Sequence, residues 1–327
     1  MTENRLPIVD FHNHFRPPWW REIAPTPLRD TGPFAVLDDI DALVSFTRAG
    51  EVDQRILGAP IDLLFGPLVD VDSEQVTRIN EYLAGVVAEH APLLGGLATV
   101  DAFAGTAGAE QTREAVERFG LSGIVVDSYR RGEYLGAEAT RPTLEAAAAL
   151  RVPVFVHPVF APGSDVLIAA AGQPGNSYGR GFTNGIALLS LLHAGIPTAL
   201  PDLDLVFTSL GTGALLFAGD YFAENRRAVA AGLAARHRLH IDTLRLDPAT
   251  LRYQLDVLGP DRVLVGTDWP IRTDGTRTDI EAFFDAAGID TATRAEIAAG
   301  TARRLFGARG SARFGATVRE QVPVPRT

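Results

Sequence analysis

The sequence predicts an α/β protein built as a (β/α)8 TIM-like barrel with an insertion after strand 1. Three observations lead there. Short β-rich runs alternate with longer helix-forming segments along the whole chain, the pattern of βα units around a parallel sheet. Several of the short runs are almost continuously apolar, as strands covered on both faces must be. Eight such units spread over 327 residues suit a closed ring better than an open sheet.

The first strand is expected at Leu6 to His12, where Leu6, Ile8, Val9 and Phe11 supply the apolar positions. Arg16 to Thr47 follows, carrying Pro17, Pro18, Trp19, Trp20, Pro25, Pro27 and Pro33. Proline removes backbone donors, so this segment reads as an extended insertion overhanging the face where strand C-termini meet. Further strands are expected at Val52 to Ala59, Leu93 to Val100, Ser122 to Asp127, Val152 to His157, Leu203 to Ser209, Leu239 to Thr243 and Arg262 to Thr267. Ser73 to His90, Ala107 to Phe119 and Arg141 to Leu150 are amphipathic or alanine-rich and read as crossover helices. The apolar stretch Gly185 to Leu200 is shorter than the roughly 20 residues of a bilayer span and holds Ser190, His193 and Pro197, so it reads as a core helix. No fixed-period repeat or Gly/Ser linker divides the chain. One domain is expected over residues 1–307, with 308–327 as a tail or a dimer arm.

Composition narrows the chemistry. A net charge of −10 with no concentrated basic run argues against nucleic acid and points to a small-molecule substrate. Cysteine is absent, which excludes disulfides, thiolate metal sites and a cysteine nucleophile. Lysine is absent too, so all 30 basic residues are arginine, and neither a Schiff base nor a carbamylated lysine can form. The first residues carry no apolar signal core, so a cytoplasmic address and no membrane association are expected.

His12 and His14 stand two apart at the end of the first strand, a spacing that turns both imidazoles to one side. His157 closes the fifth strand and Asp268 follows the eighth. Singly, each has an ordinary explanation: His157 as a hydrogen-bonded core histidine, Asp268 as an Asx turn within Gly-Thr-Asp-Trp-Pro. In a parallel barrel, however, all strand C-termini share a face, so His12, His14, His157 and Asp268 converge. Three imidazoles and a carboxylate suit one divalent ion, zinc first and manganese second.

At these residues the chain resembles the amidohydrolase superfamily, in the branch of aminocarboxymuconate semialdehyde decarboxylase and the γ-resorcylate decarboxylases. Asp10-Phe11-His12-Asn13-His14, Val154-Phe155-Val156-His157-Pro158 and Gly266-Thr267-Asp268-Trp269-Pro270 carry the resemblance. Leu192 to Asp202 and Gly300 to Gly307 match more weakly. The resemblance implies a metal held by His12, His14, His157 and Asp268, and a homodimer. It also exposes a departure, because the family commonly places an acid/base histidine at the end of the sixth strand, where Ser209 stands here. A hydroxyl does not exchange protons near neutral pH as imidazole does. His193, His90, His237 and His240 read as structural and do not replace it.

The lost imidazole favours reactions that a metal-bound water can drive. The leading expectation is therefore a metal-dependent hydrolase of a small carboxylated or cyclic substrate, with Asp268 and Ser209 as catalytic candidates. A non-oxidative decarboxylase with an unusual proton donor is the alternative, and an inactive binding scaffold the third reading. Tyr129, Arg130, Arg131, Asn176 and Tyr178 lie on loops of the expected catalytic side, with Trp19, Arg180 and Arg272 the preferred substrate-binding candidates.

Overall fold

The computed structural model describes residues 5–23, 32–66, 69–160, 163–218, 238–244 and 247–311. Eight strands form one sheet: β1 (Val9–Asn13), β2 (Gln54–Gly58), β3 (Leu94–Thr99), β4 (Ile124–Asp127), β5 (Val154–His157), β6 (Leu205–Phe207), β7 (Leu239–Asp242) and β8 (Val263–Leu264). They pair in chain order and in parallel. The ring closes where β1 meets the chain after β8: Phe11 N–H donates to Val265 O at 2.8 Å, Asp268 N–H to His12 O at 2.8 Å, and His14 N–H to Trp269 O at 2.9 Å. The fold is the expected (β/α)8 barrel.

Helices cover the outside, and local sequence explains their limits. Ser73–Glu89 starts in a capping box in which the Asp72 carboxylate accepts Glu74 N–H and the Gln75 side chain answers to Asp72 N–H. Its buried Val76, Ile79, Leu83, Val86 and Val87 repeat at helical spacing. Arg277–Ala287 is framed by the Thr276 and Asp279 capping box and by Gly288 in the left-handed region. Arg141–Leu150 carries a proline in its first turn.

Two expectations are corrected outside the sheet. The segment Arg16 to Thr47 is not extended throughout, because Asp39 accepts Ala42 N–H and starts a helix at Ile40–Ala49 that buries Leu43, Val44 and Thr47 on one face. Pro25 and Pro27 lie outside the described residues. The residues after β5 are helical over Ser164–His193 rather than a loop, in two stretches divided at Gly172, whose φ of 60° and ψ of −138° are not helical, two residues before Pro174. Asn176, Tyr178 and Arg180 are therefore helical, and His193 is the exposed last residue of that helix rather than mid-helical. The closing helix runs Thr301–Ser311, and the rest of the expected tail, with His237, lies outside the described residues. Among the described residues, no helix is long and apolar enough to cross a membrane.

The barrel has two apolar layers. One lies between strands and helices; the other fills the interior with Val9, Phe11, Ile56, Leu97, Val125, Phe155, Val206 and Leu264. Ala302, Leu305 and Phe306 of the closing helix join the inner cluster, and Phe306 stacks on Phe11 at 5.7 Å. Leu305 lines a cleft with Asp204, Arg238 and Arg262, which precede β6, β7 and β8, so this helix stoppers the N-terminal end of the ring. The opposite end is left for the site.

Candidate metal centre

An irregularity in β1 sets the geometry. Asp10 pairs with Arg55 and Asn13 with Leu57, so three steps along β1 match two along β2. The extra residue is a β-bulge, which changes the phase of the strand. Within it, Phe11 packs inward against Phe155 at 5.4 Å, and the next residue, His12, packs against the same ring at 4.8 Å. His12 and His14 thus face into the barrel together, with their Nε2 atoms 3.2 Å apart.

His157 completes the group, its ring 5.4 Å from that of His12 and 4.8 Å from that of His14. One ligand atom from each of the three buried imidazoles lies within 4.8 Å of the others. Asp268 Oδ1 stands 3.1 Å from His14 Nε2 and 3.5 Å from His12 Nε2, and its side chain, 19% exposed, opens to solvent. All four residues expected to converge do so.

The hydrogen bonds behind the rings fix which nitrogen faces the cavity. His14 Nδ1 lies 2.7 Å from Gly58 O, which can only accept, so His14 Nδ1 carries the proton. His12 Nδ1 lies 2.7 Å from Asp242 Oδ2 and likewise donates. In their neutral forms, both rings then present Nε2 lone pairs to each other, an arrangement a cation relieves. Burial alone would pull the His12 imidazole down, but the carboxylates of Asp268 and Asp242 outweigh it and hold the pKa above its ordinary value. Burial pushes the Asp268 carboxyl up, yet His12, His14 and Arg180 together hold it below the usual carboxylate range. Positive charge is therefore favoured between them, and this donor set fits one divalent ion.

Asp268 takes φ 64°, a left-handed conformation uncommon outside glycine but tolerated by aspartate. It is held there by its neighbours. Buried Asp10 accepts from Thr267 N–H at 3.0 Å, from Thr267 Oγ1 at 2.6 Å and from the Arg55 guanidinium. Arg55 also donates to Gly275 O at 2.6 Å. The first and eighth strands are thereby locked together one residue before Asp268.

The remaining candidates separate. Arg180 reaches toward the site: it stacks over Phe160 at 5.0 Å, lies 3.8 Å from Asp62 Oδ2, and its charge is felt at Asp268. Trp19 is half-buried beneath the Arg78 guanidinium, 3.8 Å from its ring centroid, and none of its described contacts joins it to the imidazoles. Arg272 pairs with Asp274 at 3.0 Å and touches the site through its backbone N–H, which donates to Asp268 O. Ser209 is buried, with Oγ accepting Gln254 Nε2 at 2.9 Å and its N–H donating to Asp242 Oδ1 at 2.9 Å. Arg130 is buried rather than in an open loop, bonding Asp127 Oδ2 at 3.3 Å, while Arg131 at φ 52° and Gly132 at φ 93° form the turn of a small hairpin.

Sequence reasoning missed three carboxylates at this end. Asp242 closes β7 as His157 closes β5, and that shared position was the available signal. Asp127 is paired in register with His157, and Asp62 N–H donates to both of its oxygens. Burial, offset by Arg130 and reinforced by Asp62, pushes Asp127 up to about 7.

The family described as amidohydrolase matches residues 9–308. Among curated proteins, the chain is similar to the 2-amino-3-carboxymuconate-6-semialdehyde decarboxylase of Dictyostelium discoideum, at 24% identity over 71% of this chain and 67% of that one. It is similar to the γ-resorcylate decarboxylase of a Polaromonas species at 25% identity over 72% and 76%. Among solved structures, the fold matches 5-carboxyvanillate decarboxylase from Novosphingobium aromaticivorans, described with bound manganese, with a TM-score of 0.77 at 20% identity over 94% and 98% of the two chains. These relatives overturn the expectation of hydrolysis, because they are named for loss of carbon dioxide. That expectation rested on the missing sixth-strand imidazole. The structure places one carboxylate, Asp268, at the cavity beside the imidazoles.

Proposed function

This chain belongs to the amidohydrolase family, and from that premise we propose that it is a metal-dependent decarboxylase of a small aromatic or unsaturated carboxylic acid. The observation that carries the reading is the convergence of His12, His14 and His157 opposite Asp268 at the open end of the barrel. The curated relatives supply the reaction class and support an acid substrate. His12, His14, His157 and Asp268 would hold one divalent ion, with manganese supported by the relative described with it and zinc by the three imidazoles. When bound, such an ion draws electron density from substrate oxygens.

The protein's own groups do the rest. Arg180, between Asp62 and Asp268, offers a planar fork that pairs with a substrate carboxylate, and Phe160 beneath it limits the fork to one orientation. Decarboxylation breaks one C–C bond, releases CO2 and leaves an electron pair on carbon that must take up a proton. Asp268 is placed to carry that proton on a carboxylate oxygen, since it combines solvent access with two imidazole neighbours. The pair of chains expected from the resemblance is retained as part of this reading, to be checked by sedimentation.

The test uses manganese-loaded protein with 2,6-dihydroxybenzoate and 5-carboxyvanillate, measuring CO2 release and product in D2O. One deuterium at the vacated ring carbon is the expected result, lost in Asp268→Asn and weakened mainly in KM by Arg180→Gln. Hydrolysis of lactones or amides without CO2 release from any carboxylated phenol or muconate would overturn the proposal.

A further inference from the structure

Ser209 stands where an acid/base imidazole was expected, and its hydroxyl and backbone N–H are both committed elsewhere. Its hydroxyl accepts Gln254 Nε2 at 2.9 Å; the same Nε2 donates to Thr212 Oγ1 at 2.8 Å. Its backbone N–H donates to Asp242 Oδ1 at 2.9 Å, and the second oxygen of Asp242 takes the proton of His12 Nδ1 at 2.7 Å. Gln254, Ser209, Asp242 and His12 are all at least 97% buried, so each link is made without solvent.

A separate feature holds the same carboxylate from the other side. A Cβ on Gly266 would fall 2.8 Å from Asp242 Cβ, Cγ and Oδ2, closer than real contacts allow. Only glycine leaves room for Asp242 at the start of the turn that carries Asp268. The Asp242 carboxylate is therefore fixed by a hydrogen bond from the β6 end, by the backbone of β7 and by the shape of the chain after β8.

We infer that Gln254, Ser209 and Asp242 form a positioning relay for His12, setting its tautomer and the direction of its Nε2 lone pair. Ser209 thus acts on the site through Asp242 and is a positioning residue rather than a catalytic one. The carboxylate raises the ring's donor strength, and the relay stops it rotating. Thr212 and Gln254 anchor the 3-10 turn Ser209–Ala214, so the N–H aimed at Asp242 keeps its direction.

The inference rests on the metal reading above, and its test separates the two. Manganese is titrated into metal-stripped protein, with the free ion followed by its EPR signal and the bound ion by its line shape; thermal midpoints are recorded in parallel. Asp242→Asn and Gly266→Ala are expected to weaken binding by about 10- to 100-fold and to alter the line shape. Ser209→Ala, which keeps the N–H, is expected to weaken binding less. Gln254→Leu added to it should change affinity no further. If Asp242→Asn does not fold, the Ser209→Ala and Gln254→Leu series carries the test by line shape. Unmodified protein that binds no manganese overturns the metal reading and the relay with it. Tight binding by unmodified protein, matched by every variant at wild-type affinity and line shape, overturns the relay alone.

Discussion

Two buried histidines lie close to the same strand and have opposite fates. His240 sits in β7, two residues before Asp242; His12 sits in β1 and donates to that Asp242. Both rings give their Nδ1 proton away, His240 to Arg238 O at 2.8 Å and His12 to a carboxylate. What faces them differs. His240 meets Arg262 at 3.3 Å and feels Arg304, and burial together with these guanidinium groups pushes it down to about 3. His12 meets Asp268 and Asp242, which hold it above its ordinary value against the same cost of burial. Desolvation is common to both, so the neighbouring charge decides: the barrel collects cations at its C-terminal end and repels them from His240 at the other.

The largest effect expected is on metal content. Protein purified in manganese should hold about one ion per chain; His12→Ala with His14→Ala should hold none, while His240→Asn keeps the full complement, measured by elemental analysis. Equal loss in both proteins would erase the contrast. Next comes the scaffold of the cation-collecting end. Arg55→Met strands the buried Asp10 carboxylate and should cost about 3–5 kcal/mol in urea unfolding; a loss no larger than that of an exposed pair would show that Asp10 is not held by charge.

The other end gives a smaller, pH-dependent effect. An unfolded histidine takes its proton near 6.5 whereas folded His240 resists until about 3, so its contribution is neutral above pH 6.5 and turns against the fold as pH falls through that window. The slope is at most about 1.4 kcal/mol per pH unit. His240→Asn should flatten the stability curve between pH 6.5 and 3 relative to wild type; identical curves would refute the assignment. The smallest effect is a control on the exposed pair Arg118 and Glu114 at 2.6 Å, where Arg118→Gln should shift stability by less than about 0.5 kcal/mol.

Much of this polarity was legible in the sequence, and the rest was hidden for identifiable reasons. Apolar runs marked all eight strands, and His157 at the end of the fifth, with Asp268 after the eighth, marked the site, because a strand end is a fixed place in a parallel barrel. Asp242 escaped because aspartate after a strand is also an ordinary turn residue, and its meaning depends on a histidine 230 positions away. Arg55 escaped because arginine is by default a surface residue and only the fold brings Asp10 to it, while Arg130, placed correctly after the fourth strand, turns out buried beside Asp127. The helix around Arg180 was read as loop because its glycines and Pro174 break the periodic pattern, although the bend at Gly172 absorbs them. Hydrolysis was favoured because Ser209 was weighed for what it could not do, when its N–H already had a task.

The bulge in β1 has a consequence for how such a site can be gained or lost. Phe11 and His12, neighbours in sequence, both face inward because one residue more than the pairing with β2 requires lies between Asp10 and Asn13. Deleting Phe11, with both histidines kept, would let a regular strand join Asp10 to Asn13, so His12 would take the inward place of Phe11 and both imidazoles would keep their direction. What the deletion removes is the Phe11 ring beneath the imidazoles, so it should cost packing against Phe155 and Phe306 rather than the direction of the histidines.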